Sequence, residues 1–412
     1  MKKTNQNLKI LKNWASDLFP LNRSLTGSGN RKTLNYIKKN INKKLKLKSV
    51  KSNTRVFGWK IPQEWKVTDA KLYDNNKNII CDFKRNNLEL LGYSKSIKKK
   101  INYKELKNHL YYIKDKPNSI PYVTSYYKKN WGFCLTYNKF KKLKKNEPYY
   151  VNISTKHFNG KMNYGEIYIK GKSKKEILIT TYICHPSMAN NELSGILAAG
   201  LISKNLRKTK YSIRLIFIPE TIGAIYYLNK KINHLKQNLV AGFNLTCVGI
   251  EDKISIINTL SENSYADKIC KRIGDEGKSI RFISFLKRGS NERQFGCQNL
   301  NLPFVTICTK KFGEYKEYHT SDDNLKILNY KTIQKVSYFL IKIIKEINNN
   351  EIYIKNTYCE PFLSGKKIIS FIANTKNQNK IDRTKLQNFL AFTDKSNDLE
   401  YLSKKLNISL KE

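Results

Sequence analysis

The chain has 412 residues, of which 40% are hydrophobic and 12% aromatic; this excludes a chain that is disordered throughout and allows two or three domains. No apolar run approaches the ~18 residues needed to cross a bilayer, and polar residues interrupt the N-terminal segment, so we expect a cytoplasmic protein without membrane insertion. The formal net charge is +46, but the lysines are spread along the whole chain, which favours a solvated basic surface over a nucleic-acid partner.

Residues 1–55 predict two helices, Leu8–Phe19 and Arg31–Ile41, with a polar, glycine-bearing loop between them. Residues 56–165 change to short strands and turns with a period near two, which is typical of a small β domain inserted into the main one. The strands predicted there are Val56–Trp59, Ala70–Tyr73, Ile79–Phe83, Leu90–Tyr93, Tyr122–Thr124, Gly132–Thr136 and Tyr149–Ile153.

Residues 166–349 alternate between strands and helices, which predicts an α/β fold: a mainly parallel sheet with helices on both faces. The predicted strands are Glu176–Ile183, Ser212–Ile218, Leu239–Val248, Ile254–Leu260, Ile280–Phe285 and Pro303–Thr309, and the helices are Leu193–Leu206, Thr221–Leu235, Ser264–Ile273 and Tyr330–Ile347. Residues 350–412 contain two short helix candidates, Lys385–Phe392 and Leu399–Leu406, whose size fits a C-terminal winged-helix-like domain.

Polar clusters follow several of the predicted strands, where parallel sheets bind their ligands. The clusters are Cys184–Gly195, Pro219–Gly223, Gly289–Phe295 and Tyr318–Asn324. Two of the five histidines fall within them, beside acidic residues, which indicates a divalent metal site. The eight cysteines include no Cys-x-x-Cys pair, which argues against a zinc ribbon and favours reduced, buried thiols.

The order of residue types in these clusters resembles that in the co-catalytic zinc aminopeptidases. The sequence is more similar to a bacterial aminopeptidase-like family of unknown physiological role, often encoded beside surface-polysaccharide genes. That resemblance rests on motifs throughout the chain: Arg23–Gly27, Phe57–Trp65, Ile120–Tyr127, Trp131–Cys134, His185–Ser187, Pro219–Gly223, Glu292–Gln294 and Cys359–Pro361. It implies an exopeptidase-like α/β domain formed by residues 1–55 and 166–349, an inserted β domain at 56–165 and a winged-helix-like domain at 350–412.

The resemblance also implies roles for particular residues. His185 and His319 match metal ligands, and Glu220 matches the general base. Neutral residues stand at three positions where those enzymes place acidic ligands: Asn191 at the bridging Asp, Thr221 at a Glu and Asn291 at a further Asp.

The neutral replacements reduce the expected number of metal ions. A bridging ligand must be negative to hold two cations ~4 Å apart, and an asparagine oxygen does this poorly. We therefore expect one zinc ion, held by His185, His319 and one or two of Glu192, Glu292 and Glu220. In that arrangement Glu220 is the better general base, and Asn191 and Asn291 are at most neutral ligands to the metal. The alternative is a site that has lost its metal.

Other polar residues near these clusters have two open interpretations. Arg23 and Arg293 could each bind an anionic group or form a structural ion pair. Asp322 and Asp323 could orient His319 or cap the following segment. Tyr315 and Tyr318 could donate to an oxyanion, and Trp59, Trp65 and Trp131 could stack on sugars, but packing is the simpler role for all five.

The sequence leaves three functions open. The first is a metal-dependent hydrolase of a peptide or amide bond with a small, peptide-like substrate. The second is a catalytically inactive scaffold in surface-polysaccharide assembly. The third is a nucleic-acid-binding regulator acting through the C-terminal helices, which the even spread of lysines disfavours. The oligomeric state is open.

Overall fold

The structure is a computed structural model that describes residues 2–207, 209–251, 253–275, 280–363 and 382–410. Within these ranges, none of the helices combines the length and the apolar character that crossing a membrane requires.

Eleven α-helices and sixteen strands are found in the described residues. The helices are α1 (Lys2–Leu18), α2 (Ser28–Tyr36), α3 (Tyr103–Lys107), α4 (Tyr137–Lys141), α5 (Ser194–Asn205), α6 (Ile222–Asn238), α7 (Tyr265–Asp275), α8 (Glu292–Phe295), α9 (Tyr330–Asn349), α10 (Arg383–Phe392) and α11 (Leu399–Leu406). The strands are β1 (Lys46–Lys51), β2 (Arg55–Val56), β3 (Trp59–Lys60), β4 (Glu64–Tyr73), β5 (Ile79–Asp82), β6 (Ile97–Ile101), β7 (Leu110–Tyr111), β8 (Phe133–Cys134), β9 (Tyr149–Phe158), β10 (Lys161–Ile169), β11 (Ser173–Tyr182), β12 (Tyr211–Ile218), β13 (Leu239–Leu245), β14 (Ile254–Ile257), β15 (Ile280–Ile283) and β16 (Phe304–Cys308).

A mixed eight-stranded sheet is the centre of the fold, in the order β1-β10-β12-β11-β13-β16-β14-β15. Its four central strands, β12, β11, β13 and β16, are mutually parallel. β10 joins them antiparallel on one side and β14 antiparallel on the other. The carboxyl ends of the four central strands therefore meet at one edge of the sheet, as the strand–helix alternation predicts.

Both faces of this sheet are covered. Alternate side chains of β11 enter different cores: Ile177 and Ile179 contact the core formed with α1, α5, α7 and α9, whereas Leu178 contacts the core formed with α6 and the small sheet. Both faces of β11 are buried from Glu176 to Tyr182, which explains the uninterrupted apolar run 177–179 in its centre.

A second sheet of four strands, in the order β5-β4-β9-β6, lies within residues 64–158. The chain passes from this sheet into the large one between β9 and β10, because β10 pairs with β1 and β12. The division into domains at residues 56–165 and 350–412 stays a prediction.

Several predicted strands of this region have other structures. Val56–Trp59 contains a turn rather than a strand, with φ values of 47° at Phe57 and 86° at Gly58, and it joins the short strands β2 and β3. Leu90–Tyr93 and Tyr122–Thr124 form only isolated bridges. Short apolar runs carry too little periodicity to separate such loops from strands.

At the C-terminus, the two predicted helices are present as α10 and α11. Asp382 and Asp398 cap them by accepting hydrogen bonds from the backbone N–H groups of Lys385 and Tyr401. Residues 364–381 of the predicted winged-helix-like segment lie outside the described residues.

Candidate functional site

Four loops at the carboxyl edge of the large sheet form the candidate site. They follow β11, β12, β13 and β16, and each contains a non-glycine residue with positive φ: Ser187, Thr221, Cys247 and His319. The Thr221 backbone, at φ 60° and ψ −78°, is an outlier for a β-branched residue. Such conformations cost about 1–3 kcal/mol each and concentrate at functional sites.

His185 is held at the end of β11 by a buried chain of charges. Its Nδ1 lies 3.2 Å from Glu192 Oε2, and Arg23 Nε donates to Glu192 Oε1 at 2.5 Å. Both Arg23 and Glu192 are almost fully buried. Burial, the largest single effect, lowers the pKa of His185, but the hydrogen bond to Glu192 and the charges of Glu192 and Glu220 together outweigh it, so the pKa is raised. This pairing fixes the imidazole and leaves Nε2 as the ring atom available to a ligand.

His319 lies close to His185, as the prediction of one shared metal ion requires. The two ring centroids are 5.5 Å apart. Burial and the charge of His185 lower the pKa of His319 to about 3, so its ring is neutral. Its Nε2 is buried and has no hydrogen-bond partner among the described residues. Tyr318 stacks on the same ring at 3.9 Å.

Tyr122 contacts both histidines, with ring centroids 5.2 Å from each. Its backbone N–H donates to the His319 carbonyl at 2.8 Å, and Ser321 N–H donates to the Ile120 carbonyl at 2.8 Å. The predicted insertion therefore contributes to the site. Sequence reasoning gave Tyr122 no role, although the Ile120–Tyr127 motif was a signal that could have found it.

Glu220 follows β12 and faces His185, with Oε2 3.9 Å from His185 Nε2. Ser290 Oγ donates to Glu220 Oε1 at 2.8 Å, a contact that sequence reasoning missed because it links loops 70 residues apart. Burial raises the pKa of Glu220, against the opposing effects of His185, Ser290 and Arg293. A carboxyl group whose pKa is shifted toward neutrality suits proton transfer.

The neutral residues Asn191 and Asn291 are also at this edge. Asn291 Oδ1 accepts a hydrogen bond from Thr221 N–H at 3.0 Å, and Asn191 Oδ1 accepts one from Tyr182 O–H at 3.0 Å. The Nδ2 atoms of both asparagines are buried and unpartnered among the described residues. Both side chains are neutral amides, so neither provides the anionic oxygen that a divalent cation prefers.

Glu192 and Glu292 are engaged elsewhere. Glu192 Oε2 accepts hydrogen bonds from the backbone N–H groups of Cys184 and His185, in addition to the Arg23 contact at Oε1. Glu292 accepts from the N–H groups of Gly289 and Ser290 and from the Thr306 hydroxyl. Neither carboxylate has contacts that favour the ligand role expected from sequence; Glu192 instead orients His185.

Cys184, His185 and Glu192 have potential ligand atoms within 4.8 Å of one another. We do not assign a metal to this triad. Burial raises the pKa of the Cys184 thiol well above its usual range, and the sulfur already accepts a hydrogen bond from Glu220 N–H. A metal ligand would need to be the thiolate.

The remaining polar candidates have structural contacts. Asp323 accepts hydrogen bonds from the N–H groups of Asn190 and Asn191 and from the Tyr315 hydroxyl, and so holds the π-helical turn Ala189–Leu193. Asp322 accepts from the Ser119 hydroxyl. Of the tryptophans, Trp65 and Trp131 are buried, whereas Trp59 is 43% exposed.

The potential metal ligands at this edge of the sheet fit one divalent cation and do not fit two. The rings of His185 and His319 are 5.5 Å apart and the Nε2 of His319 has no partner among the described residues, so the two imidazoles are close enough to share one ion, with the Glu220 carboxylate 3.9 Å from His185 Nε2 as the neighbouring base. A second ion would need further anionic ligands, whereas Asn191, Thr221 and Asn291 are neutral.

This fold and this arrangement of loops define an aminopeptidase-like α/β protein. Residues 12–350 match the family model described as "Domain of unknown function (DUF4910)", and the chain belongs to this family. A Clostridium acetobutylicum protein, provisionally named a polysaccharide biosynthesis protein with aminopeptidase-like domain, is 40% identical over 364 residues, which cover 87% of this chain and 83% of the relative.

Solved structures agree with this family assignment. A crystal structure of a provisionally titled peptidase from Clostridium acetobutylicum matches with a TM-score of 0.82 and 36% identity, over 99% of this chain and 93% of that one. BSAP, a zinc aminopeptidase from Bacillus subtilis, matches with a TM-score of 0.60 over 84% of this chain and 94% of that one. At 13% identity, this second match shows the fold alone.

Proposed function

We propose that the chain is a metal-dependent hydrolase of peptide or other amide bonds, with one zinc ion held by His185 and His319 and with Glu220 as the proton acceptor. The observation that carries the proposal is the approach of two imidazole rings to 5.5 Å, with a carboxylate oxygen 3.9 Å from one of them. The fold shared with zinc aminopeptidases supports the choice of zinc over other ions.

The residues of the chain divide the work of amide hydrolysis. Zinc, when bound, supplies a Lewis acid that polarises the carbonyl and lowers the pKa of water. Glu192 holds His185 in position through Nδ1. Ser290 engages Oε1 of Glu220, which leaves Oε2 to accept the proton of the attacking water and return it to the leaving amine.

The proposal also links the substrate to the synthesis of surface polysaccharides. The name of the 40% identical relative combines polysaccharide biosynthesis with an aminopeptidase-like domain, which supports an amide-bearing glycan precursor or a peptide from the same process. The cytoplasmic location and the winged-helix assignment stay predictions from the sequence.

A non-catalytic scaffold is the second candidate. Its support is the loss of anionic ligands at Asn191 and Asn291, because a fold can persist after its chemistry is lost. Under this alternative, the His185–His319 pair binds no ion and the chain hydrolyses no amide.

The experiment measures zinc per chain by elemental analysis and amide hydrolysis by the same purified protein. We expect close to one zinc per chain in the native protein and a large loss of zinc in His185→Ala and His319→Ala. Glu220→Gln should keep the zinc and lose at least about 100-fold in rate, since a positioned general base contributes that much.

His157→Gln is the matched control, because His157 lies on β9 of the small sheet. It should keep both zinc and activity. Native protein without zinc, or zinc that both histidine variants retain, contradicts the proposal and favours the scaffold.

A further inference from the structure

The polar groups beside Glu220 are almost all hydrogen-bond donors. Arg293, at the start of α8, is exposed, and its Nε and Nη2 donate to the Ser290 carbonyl at 3.2 Å and the Thr221 hydroxyl at 2.8 Å. These two bonds hold the guanidinium at the site. Nη1 makes no hydrogen bond to any described residue, so part of the donor fork is free for a ligand.

Two buried amides add to this donor set. The Nδ2 atoms of Asn191 and Asn291 have no acceptor among the described residues, while their Oδ1 atoms are already engaged. The contact with Thr221 N–H fixes Oδ1 as the acceptor of the Asn291 amide, because a backbone N–H can only donate. An unsatisfied buried donor costs about 1–3 kcal/mol, and Asn291 places one such donor beside Thr221, the residue that follows Glu220.

A positively charged ligand would find little support here. Three nearby carboxylates are already saturated: Glu192 by Arg23 and two backbone N–H groups, Glu292 by three donors, and Asp323 by three donors. Of the four carboxylates Glu192, Glu220, Glu292 and Asp323, Glu220 alone keeps an oxygen for an ammonium group.

No ion pair within 4.0 Å joins Arg293 to Glu220, or to any other carboxylate in the described part of the chain. The guanidinium therefore keeps its charge available at the site, where it would repel a free α-amino group.

We propose that Arg293 binds a carboxylate of the substrate, next to the amide that is cleaved. The inference rests on the proposed function for the location of the substrate, and it changes the expected substrate class. An N-terminal exopeptidase needs a group that recognises a free α-amine, whereas a planar guanidinium fork favours an anionic amide.

Three primary amides of matched length test the charge preference: succinamate, butyramide and β-alaninamide carry a carboxylate, no charge and an ammonium group. Their dissociation constants are measured by ligand-observed NMR on the purified full chain, with zinc content recorded. We expect succinamate to bind at least about tenfold more tightly than the other two.

Arg293→Gln should remove this preference, and Arg293→Lys, which keeps the charge but not the fork, should retain part of it. Lys287→Gln is the matched control, because it removes the same charge from an exposed residue of the neighbouring segment. It should bind all three amides as the native protein does.

Equal or tighter binding of β-alaninamide overturns the proposal, as does a succinamate preference that survives in Arg293→Gln, or no measurable succinamate binding by the native chain. Binding needs no turnover. A chain that binds succinamate through Arg293 but hydrolyses nothing would refute the hydrolase and keep this inference, and an active enzyme without the preference would do the reverse.

Discussion

Individual residues of the site are held by partners far away in the sequence. Arg23 and Glu192 are 169 positions apart, yet their ion pair is 2.5 Å long and both side chains are 0% exposed. Because Glu192 also fixes His185, the ion pair links an N-terminal loop to the candidate metal ligand. Sequence reasoning left Arg23 open between an anion-binding and a structural role, and its contacts favour the structural one.

Arg23→Met should be strongly destabilising. The variant keeps much of the side-chain volume but leaves the buried Glu192 carboxylate without its cation, which costs about 3–5 kcal/mol in unfolding free energy. Urea denaturation followed by circular dichroism measures this loss.

The control breaks an exposed pair. Lys144 and Glu147 form an ion pair with side chains 65% and 31% exposed, so Glu147→Gln should change the unfolding free energy by less than about 1 kcal/mol. An Arg23→Met protein as stable as this control would show that the buried pair contributes little.

At the scale of elements, α5 places the site loop against the sheet. The helix follows directly after the turn Ala189–Leu193, which carries Asn191 and Glu192. A Cβ at Gly195 would lie 2.6 Å from the Leu245 carbonyl oxygen and 2.5 Å from Thr181 Oγ1. Only glycine allows the helix to approach the strands this closely.

Gly195→Ala should therefore lower the unfolding free energy by about 2 kcal/mol, because backbone atoms of β13 cannot yield. Thermal and urea unfolding provide the measurement. The intrinsic helix preference of alanine, about 1 kcal/mol over glycine, acts in the opposite direction, so a loss of stability identifies the packing conflict.

Gly200→Ala, in the same helix, is the matched control. A Cβ there would meet only side-chain atoms of Trp14 and Ile41 at 3.1–3.3 Å, which can shift by the small distance required. Its stability should stay within about 1 kcal/mol of the native value. Equal losses in both variants would mean that the Leu245 carbonyl is not the obstacle.

At the scale of the whole molecule, charge is the dominant feature. A formal net charge of +46 makes the folded chain repel itself, since compaction brings like charges together. Only some of the cations have partners among the described ion pairs, and many of these pairs are exposed, as for Lys99 and Glu105.

Salt should stabilise the protein. Raising NaCl from about 10 to 150 mM shortens the screening length from about 30 to 8 Å, which weakens repulsion between distant lysines. We expect the midpoint of thermal unfolding to rise by several degrees, measured by differential scanning calorimetry.

Choline chloride at the same ionic strength should give the same rise, because screening depends on charge and not on the particular cation. A melting temperature that stays constant or falls with both salts would show that self-repulsion does not limit the stability of this fold.

Sequence alone determined the order of strands and helices in the α/β region and the position of His185, Glu220 and His319 in loops that follow strands of the large sheet. β-branched runs and helical periodicity are local signals, and parallel topology brings the ends of such strands to one edge. Tertiary structure decided the rest: that β1 and β10 join the large sheet, that Tyr122 reaches the site, and that Glu192 and Glu292 are engaged by other donors. The role of a carboxylate depends on which hydrogen-bond donors contact it. For Glu192 one of these donors is Arg23, which lies 169 residues away in the sequence, where no local pattern could reveal it.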